Sequence, residues 1–93
     1  MRLDQFLRAS RLVPRRTVAQ ELCEAGAVSV NGVAARSARP VRAGDEITLR
    51  RRDRLLVVRV QTLPASKQTP KSEAANLYEV VADTPLERDP LTD

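Results

Sequence analysis

With 93 residues, one Cys, no His and no Trp, the chain supports one small domain with a thin core. It lacks metal-ligand spacing, a disulfide partner for Cys23 and any Cys/His or Ser/His pair, and so reads as a non-enzyme without cofactors. The net charge of +4 is unevenly divided: residues 1–60 carry thirteen Arg against six acids, a net +7, and residues 61–93 carry a net −3.

A basic half that also holds most of the apolar pattern points to a polyanionic partner. No apolar run is long enough to span a bilayer, and Met1-Arg2-Leu3-Asp4 turns amphipathic at once instead of opening a secretory signal. Cys23 reads as a small packing residue in a reducing, cytoplasmic setting with no membrane contact.

From Arg2 to Ser10 the apolar residues Leu3, Phe6 and Leu7 follow i, i+3, i+4 spacing, which predicts an amphipathic helix. Asp4, Arg8 and Arg11 fall on its opposite face, with Asp4 and Arg8 in the favourable acid-first i, i+4 order. Pro14 disfavours helix at Val13 and predicts a stiff turn. A second helix follows, with Arg15 and Arg16 at its start and Thr17-Val18-Ala19-Gln20 matching a capping box if it begins at Thr17. Arg8, Arg11, Arg15 and Arg16 thus crowd one joint, beside a helix N-terminus whose free N–H groups favour phosphate.

Helix two is expected to bury Val18, Leu22 and Ala25 and to stop at Gly26. Val28-Ser29-Val30 alternates as a strand, and Asn31-Gly32 is a strong hairpin signal. Val33 to Arg36 returns antiparallel, Pro40 excludes a central strand at Arg39-Pro40-Val41, and Ala43-Gly44-Asp45 turns into the strand Glu46 to Leu49. Arg50 to Arg54 forms the basic tip of a second hairpin completed by Leu55 to Val60; that tip is either a solvated loop or a second phosphate contact. Residues 63–72 have linker composition. Residues 73–93 form a short helix, with Ser72 as N-cap and Ala74, Leu77 and Val81 packed, or a strand at Tyr78-Glu79-Val80-Val81, and then a frayed acidic tail.

The order helix, basic turn, helix, Gly, strand, Asn-Gly, strand, Gly-Asp, strand resembles the RNA-binding domain of small-subunit ribosomal protein S-four. The resemblance rests on Arg2-Leu3-Asp4, Ser10-Arg11, Arg15-Arg16-Thr17-Val18-Ala19, Gly26-Ala27-Val28, Val30-Asn31-Gly32 and Gly44-Asp45. It implies an α+β fold: a two-helix basic unit (an αL motif) on a small, mainly antiparallel sheet over residues 1–62, with a mobile C-terminal extension. Within that family, Met1 to Asp4, Ser10 to Thr17 and Glu73 to Tyr78 are most similar to the short bacterial ribosome-associated quality-control subgroup. The small heat-shock subgroup that binds free large subunits comes next.

Membership of the first subgroup implies binding to large ribosomal subunits that still hold peptidyl-tRNA, through rRNA and tRNA. It also implies cooperation with a larger factor that adds C-terminal alanine tails. Position by position, Arg2, Asp4, Arg8, Arg11, Arg15, Arg16 and Thr17 match places where the family binds RNA or orients its arginines; Gln20, Arg36 and Arg39 complete the candidate set. Pro14 and Gln20 stand where relatives often have lysine, which implies weaker affinity, and the heat-shock subgroup's first-helix aromatics are reduced to Phe6. With one Phe and one Tyr, the chain lacks a platform for stacking unpaired bases, so contacts should be mostly to phosphate and sugar. The rival readings are a DNA-binding helix-turn-helix, which usually dimerises whereas this chain is expected to be monomeric, and an adaptor working through its acidic tail.

Overall fold

A computed structural model describes residues 1–64 and 71–86. The apolar spacing at the N-terminus produces helix α1, Leu3–Ala9, and the chain beyond Pro14 produces helix α2, Arg16–Glu24. Leu3, Phe6, Leu7 and Val13 are completely buried, joined from α2 by Ala19 and Cys23. The α2 stripe is therefore shifted from the expected one: Val18 and Leu22 are half-buried and Ala25, as the C-cap, is exposed. Two bonds close this end, Gly26 N–H to Cys23 O and Ala27 N–H to Leu22 O, with Gly26 at φ +75°. That pair is a Schellman termination, which needs a left-handed residue.

The remaining elements form one antiparallel sheet in the order β2-β1-β3-β4-β5. Its strands are β1 (Val28–Val30), β2 (Val33–Ala34), β3 (Glu46–Arg50), β4 (Arg54–Val60) and β5 (Tyr78–Pro85). Alternation places Val28, Val30, Ile47, Leu49, Val58 and Val60 on the face that packs with the helices into one core. Truncating Phe6, which is completely buried in it, to Ala would remove about 3–5 kcal/mol. Val30 pairs with Val33 across Asn31 (φ 52°) and Gly32 (φ +83°), the two positive φ values of a type I′ turn. Asn31 also fastens the next turn: its Nδ2 donates to Asp45 Oδ1 (3.1 Å) and its Oδ1 accepts from the Glu46 N–H (3.0 Å). The Asn-Gly and Gly-Asp motifs thus hold each other.

The last described segment is one helical turn, Lys71–Ala74, continued as a 3-10 turn over Ala75–Leu77, followed by β5. Both alternatives for this stretch occur in succession. The helical turn starts ahead of Ser72, Ala74 and Leu77 are buried as expected, and Val81 is 44% exposed because it lies in the strand at a bulge opposite Val57/Val58. Where a separate extension was expected, Tyr78–Pro85 completes the sheet by pairing with β4 along its length. The expected linker falls partly, and the frayed tail mostly, outside the described residues.

Candidate nucleic-acid interface

The geometry of the basic surface is organised by a buried acid. Asp4 sits in the first turn of α1 with no solvent exposure, turned toward α2 and not, as its helical position suggested, toward solvent. Its Oδ2 accepts from Arg16 Nε (3.1 Å), Gln20 Nε2 (3.0 Å) and Arg2 Nη2 (3.3 Å), and its Oδ1 accepts from the Gln5 N–H (2.8 Å). Burial alone would raise the Asp4 pKa. The Gln20 bond, the Arg16 bond and charge, and the Gln5 N–H outweigh it and hold the carboxyl below its ordinary value. Asp4 therefore stays ionised and aims two guanidiniums, Arg2 and Arg16, that remain 43% and 41% exposed. Arg2 Nε is buried and lies 3.2 Å from Asp4 Oδ1, yet it is not aligned for a hydrogen bond.

This arrangement displaces the expected capping box. Helix α2 begins at Arg16 with Arg15 as N-cap, Thr17 is exposed, and the Gln20 side chain is spent on Asp4. Gln20 and Asp4 are thus positioning groups beneath the arginines. Arg8, Arg11 and Arg15 are exposed around the joint. Arg11 has φ 61° and its N–H bonds to Arg8 O (3.0 Å), while Val13 N–H reaches Leu7 O (3.1 Å). A non-glycine residue held in the left-handed region costs about 1–2 kcal/mol. Here it reverses the chain tightly enough to bring Arg16 back to Asp4 of α1.

A second segment joins the same end of α1. Leu3 N–H donates to Arg39 O (2.8 Å), Asp4 N–H to Ser37 O (3.1 Å) and Val41 N–H to Met1 O (2.9 Å), and Arg2 bridges to Pro40. The loop carrying Arg36 and Arg39 is thereby laid against the start of α1, with Arg36 exposed and Arg39 half-buried, its Nε without a hydrogen-bond partner among the described residues. Sequence reasoning missed one contact: Arg51, at the β3–β4 tip, donates through Nη2 to Leu12 O in the α1–α2 turn. Its partner lies 39 residues away, a separation no local pattern signals.

The surface offers charge and shape and little stacking, because Phe6 is completely buried and Tyr78 is half-buried on β5. Burial raises the Cys23 thiol pKa, with the charges of Asp4 and Glu24 acting in the same direction. No group of three His, Cys, Asp or Glu side chains among the described residues could hold a metal, and no described helix is long and apolar enough to cross a membrane.

The sequence profile of the family described as the S4 domain matches residues 1–47, which span the two helices, the loop and the start of β3. The RQC P-site tRNA stabilizing factor of Bacillus subtilis is 43% identical, over 92% of this chain and 98% of its own. That of Streptococcus pneumoniae is 39% identical, over 94% and 97%. Among solved structures, heat shock protein 15 of Vibrio cholerae, a trimer, superposes with a TM-score of 0.78 at 33% identity, covering 88% of this chain and 82% of that one. The buried Asp4 with its arginines, the Asn31–Asp45 clasp and the two-helix unit on an antiparallel sheet are thus set in a chain that belongs to the S4 domain family.

Proposed function

We propose that this protein is a cytoplasmic, monomeric, non-enzymatic RNA-binding factor that associates with large ribosomal subunits retaining peptidyl-tRNA. It contacts rRNA and that tRNA and supports the factor that adds C-terminal alanine tails during ribosome-associated quality control. The observation that carries this reading is the buried Asp4 carboxylate, which presents Arg16 and Arg2 outward beside the exposed Arg8, Arg11 and Arg15. Preset guanidiniums suit the phosphates of a folded RNA, bound by shape and backbone. The names of the full-length relatives, factors that stabilise P-site tRNA, support the choice of ligand.

The heat-shock reading, recycling of free large subunits, is favoured by the Vibrio cholerae superposition. The two differ in whether the bound subunit holds tRNA. Tagged protein and its Arg16→Ala variant are sedimented from cells on a sucrose gradient, and the bound fractions are probed for peptidyl-tRNA. The proposal expects large-subunit peaks containing peptidyl-tRNA for the parent, lost in the variant. Peaks without tRNA would favour the heat-shock reading, and parent protein left at the top of the gradient would refute both.

A further inference from the structure

We propose that the β3–β4 tip, Arg51-Arg52-Asp53, is a second phosphate-contacting element that extends the RNA surface of the α1–α2 turn; this rests on the RNA-binding reading above. The tip is docked, not loose. Arg51 Nη2 donates to Leu12 O, and the Arg51 N–H donates to Arg54 O (2.8 Å), closing the turn on itself. From the other side, Arg54 Nε pairs with Asp83 Oδ1 (3.1 Å) and the Leu86 N–H donates to Asp53 O (2.9 Å).

Two of the four arginines in the run from Arg50 to Arg54 are thereby committed to holding the tip, Arg51 to the helical turn and Arg54 to β5. Arg50 and Arg52 are exposed, and neither belongs to any ion pair among the described residues. Like charges repel, and the Arg51 bond fastens this basic tip to the residue that follows Arg11 in the helical turn, which raises the local positive potential further. A polyanion spanning both elements relieves that repulsion. The RNA backbone fits because the Arg51–Leu12 bond joins the exposed basic tip to the exposed basic turn, and charge alone suffices to bind phosphate.

The test is a fluorescence anisotropy titration of a labelled RNA stem-loop across a series of salt concentrations, with the parent, Arg52→Ala and Arg59→Gln. Arg59 lies between the buried Val58 and Val60 on the sheet face turned away from the helices, paired with Glu46 and Glu79, so its variant removes the same charge elsewhere. Arg52→Ala is expected to reduce the slope of log K against log salt by about 0.7–1 and to weaken low-salt binding several-fold, with Arg59→Gln leaving the slope at the parent value. A parent-like slope for Arg52→Ala, or an equal loss in Arg59→Gln, would overturn the tip while leaving the helical surface intact. A parent with no salt slope would overturn the RNA reading together with it.

Discussion

Replacing Asp4 with Asn preserves the side chain's size and raises the net charge from +4 to +5. By charge alone, RNA should bind more tightly. The geometry demands the reverse. Asp4 accepts from Arg16, Gln20 and Arg2 at 3.0–3.3 Å in a site with no solvent exposure. Deleting a hydrogen bond to a buried charge costs about 1.5–3 kcal/mol, but both guanidiniums are more than 40% exposed and Asn keeps one acceptor oxygen. The expected loss of unfolding free energy is about 2 kcal/mol, which a domain stable by about 5–15 kcal/mol survives. The released arginines also regain rotamer freedom of up to about 2 kcal/mol each, and RNA must remove it again. If Asp4 suppresses about a third of that freedom in each of the two, the variant binds RNA about tenfold more weakly, near 1.4 kcal/mol. Urea unfolding gives the first quantity, and anisotropy on the folded variant gives the second. A folded Asp4→Asn protein that binds RNA as tightly as the parent, or more tightly, would refute the view that Asp4 works by aiming its arginines.

The same carboxylate sets a pH dependence. Because its folded pKa is lowered, the stability it contributes is complete above the ordinary carboxylate value of about 3.9 and is lost as pH falls from there through the folded value. Acid titration of unfolding free energy should therefore be flatter in Asp4→Asn than in the parent below about pH 4. Arg11→Gly relieves the left-handed strain at φ 61° while loosening the unfolded chain, so stability should stay within about 1 kcal/mol of the parent as RNA affinity falls; thermal melts beside a binding titration check both. Gly26→Ala should cost about 1 kcal/mol in urea unfolding with RNA affinity unchanged: an added methyl meets nothing within 4 Å, and the penalty lies in φ +75° alone.

Much of the architecture was legible because its causes are local. The spacing of Leu3, Phe6 and Leu7 specifies α1, Pro14 separates the helices, Gly26 ends α2, and Asn31-Gly32 reverses β1 through a turn that few other residue pairs tolerate. The cluster of arginines around the first turn was equally plain, since all of them fall within nine residues of one another. Tertiary structure decided how they are used. Gln20 could equally cap its own helix or bond elsewhere, and the choice was made by Asp4, sixteen residues back, whose burial penalty is met by converging donors. Likewise Tyr78 to Val81 carries comparable helical and strand preference, and the exposed edge of β4 resolves it by offering backbone partners along the whole of β5. Arg51 belongs with these. Its residue type announced a charge, but its role as the link between hairpin and helical turn exists only once the sheet brings Leu12 O within its reach. Short-range steric rules write turns and helices into the sequence, whereas a hydrogen bond between distant residues depends on which surfaces the folded core places face to face.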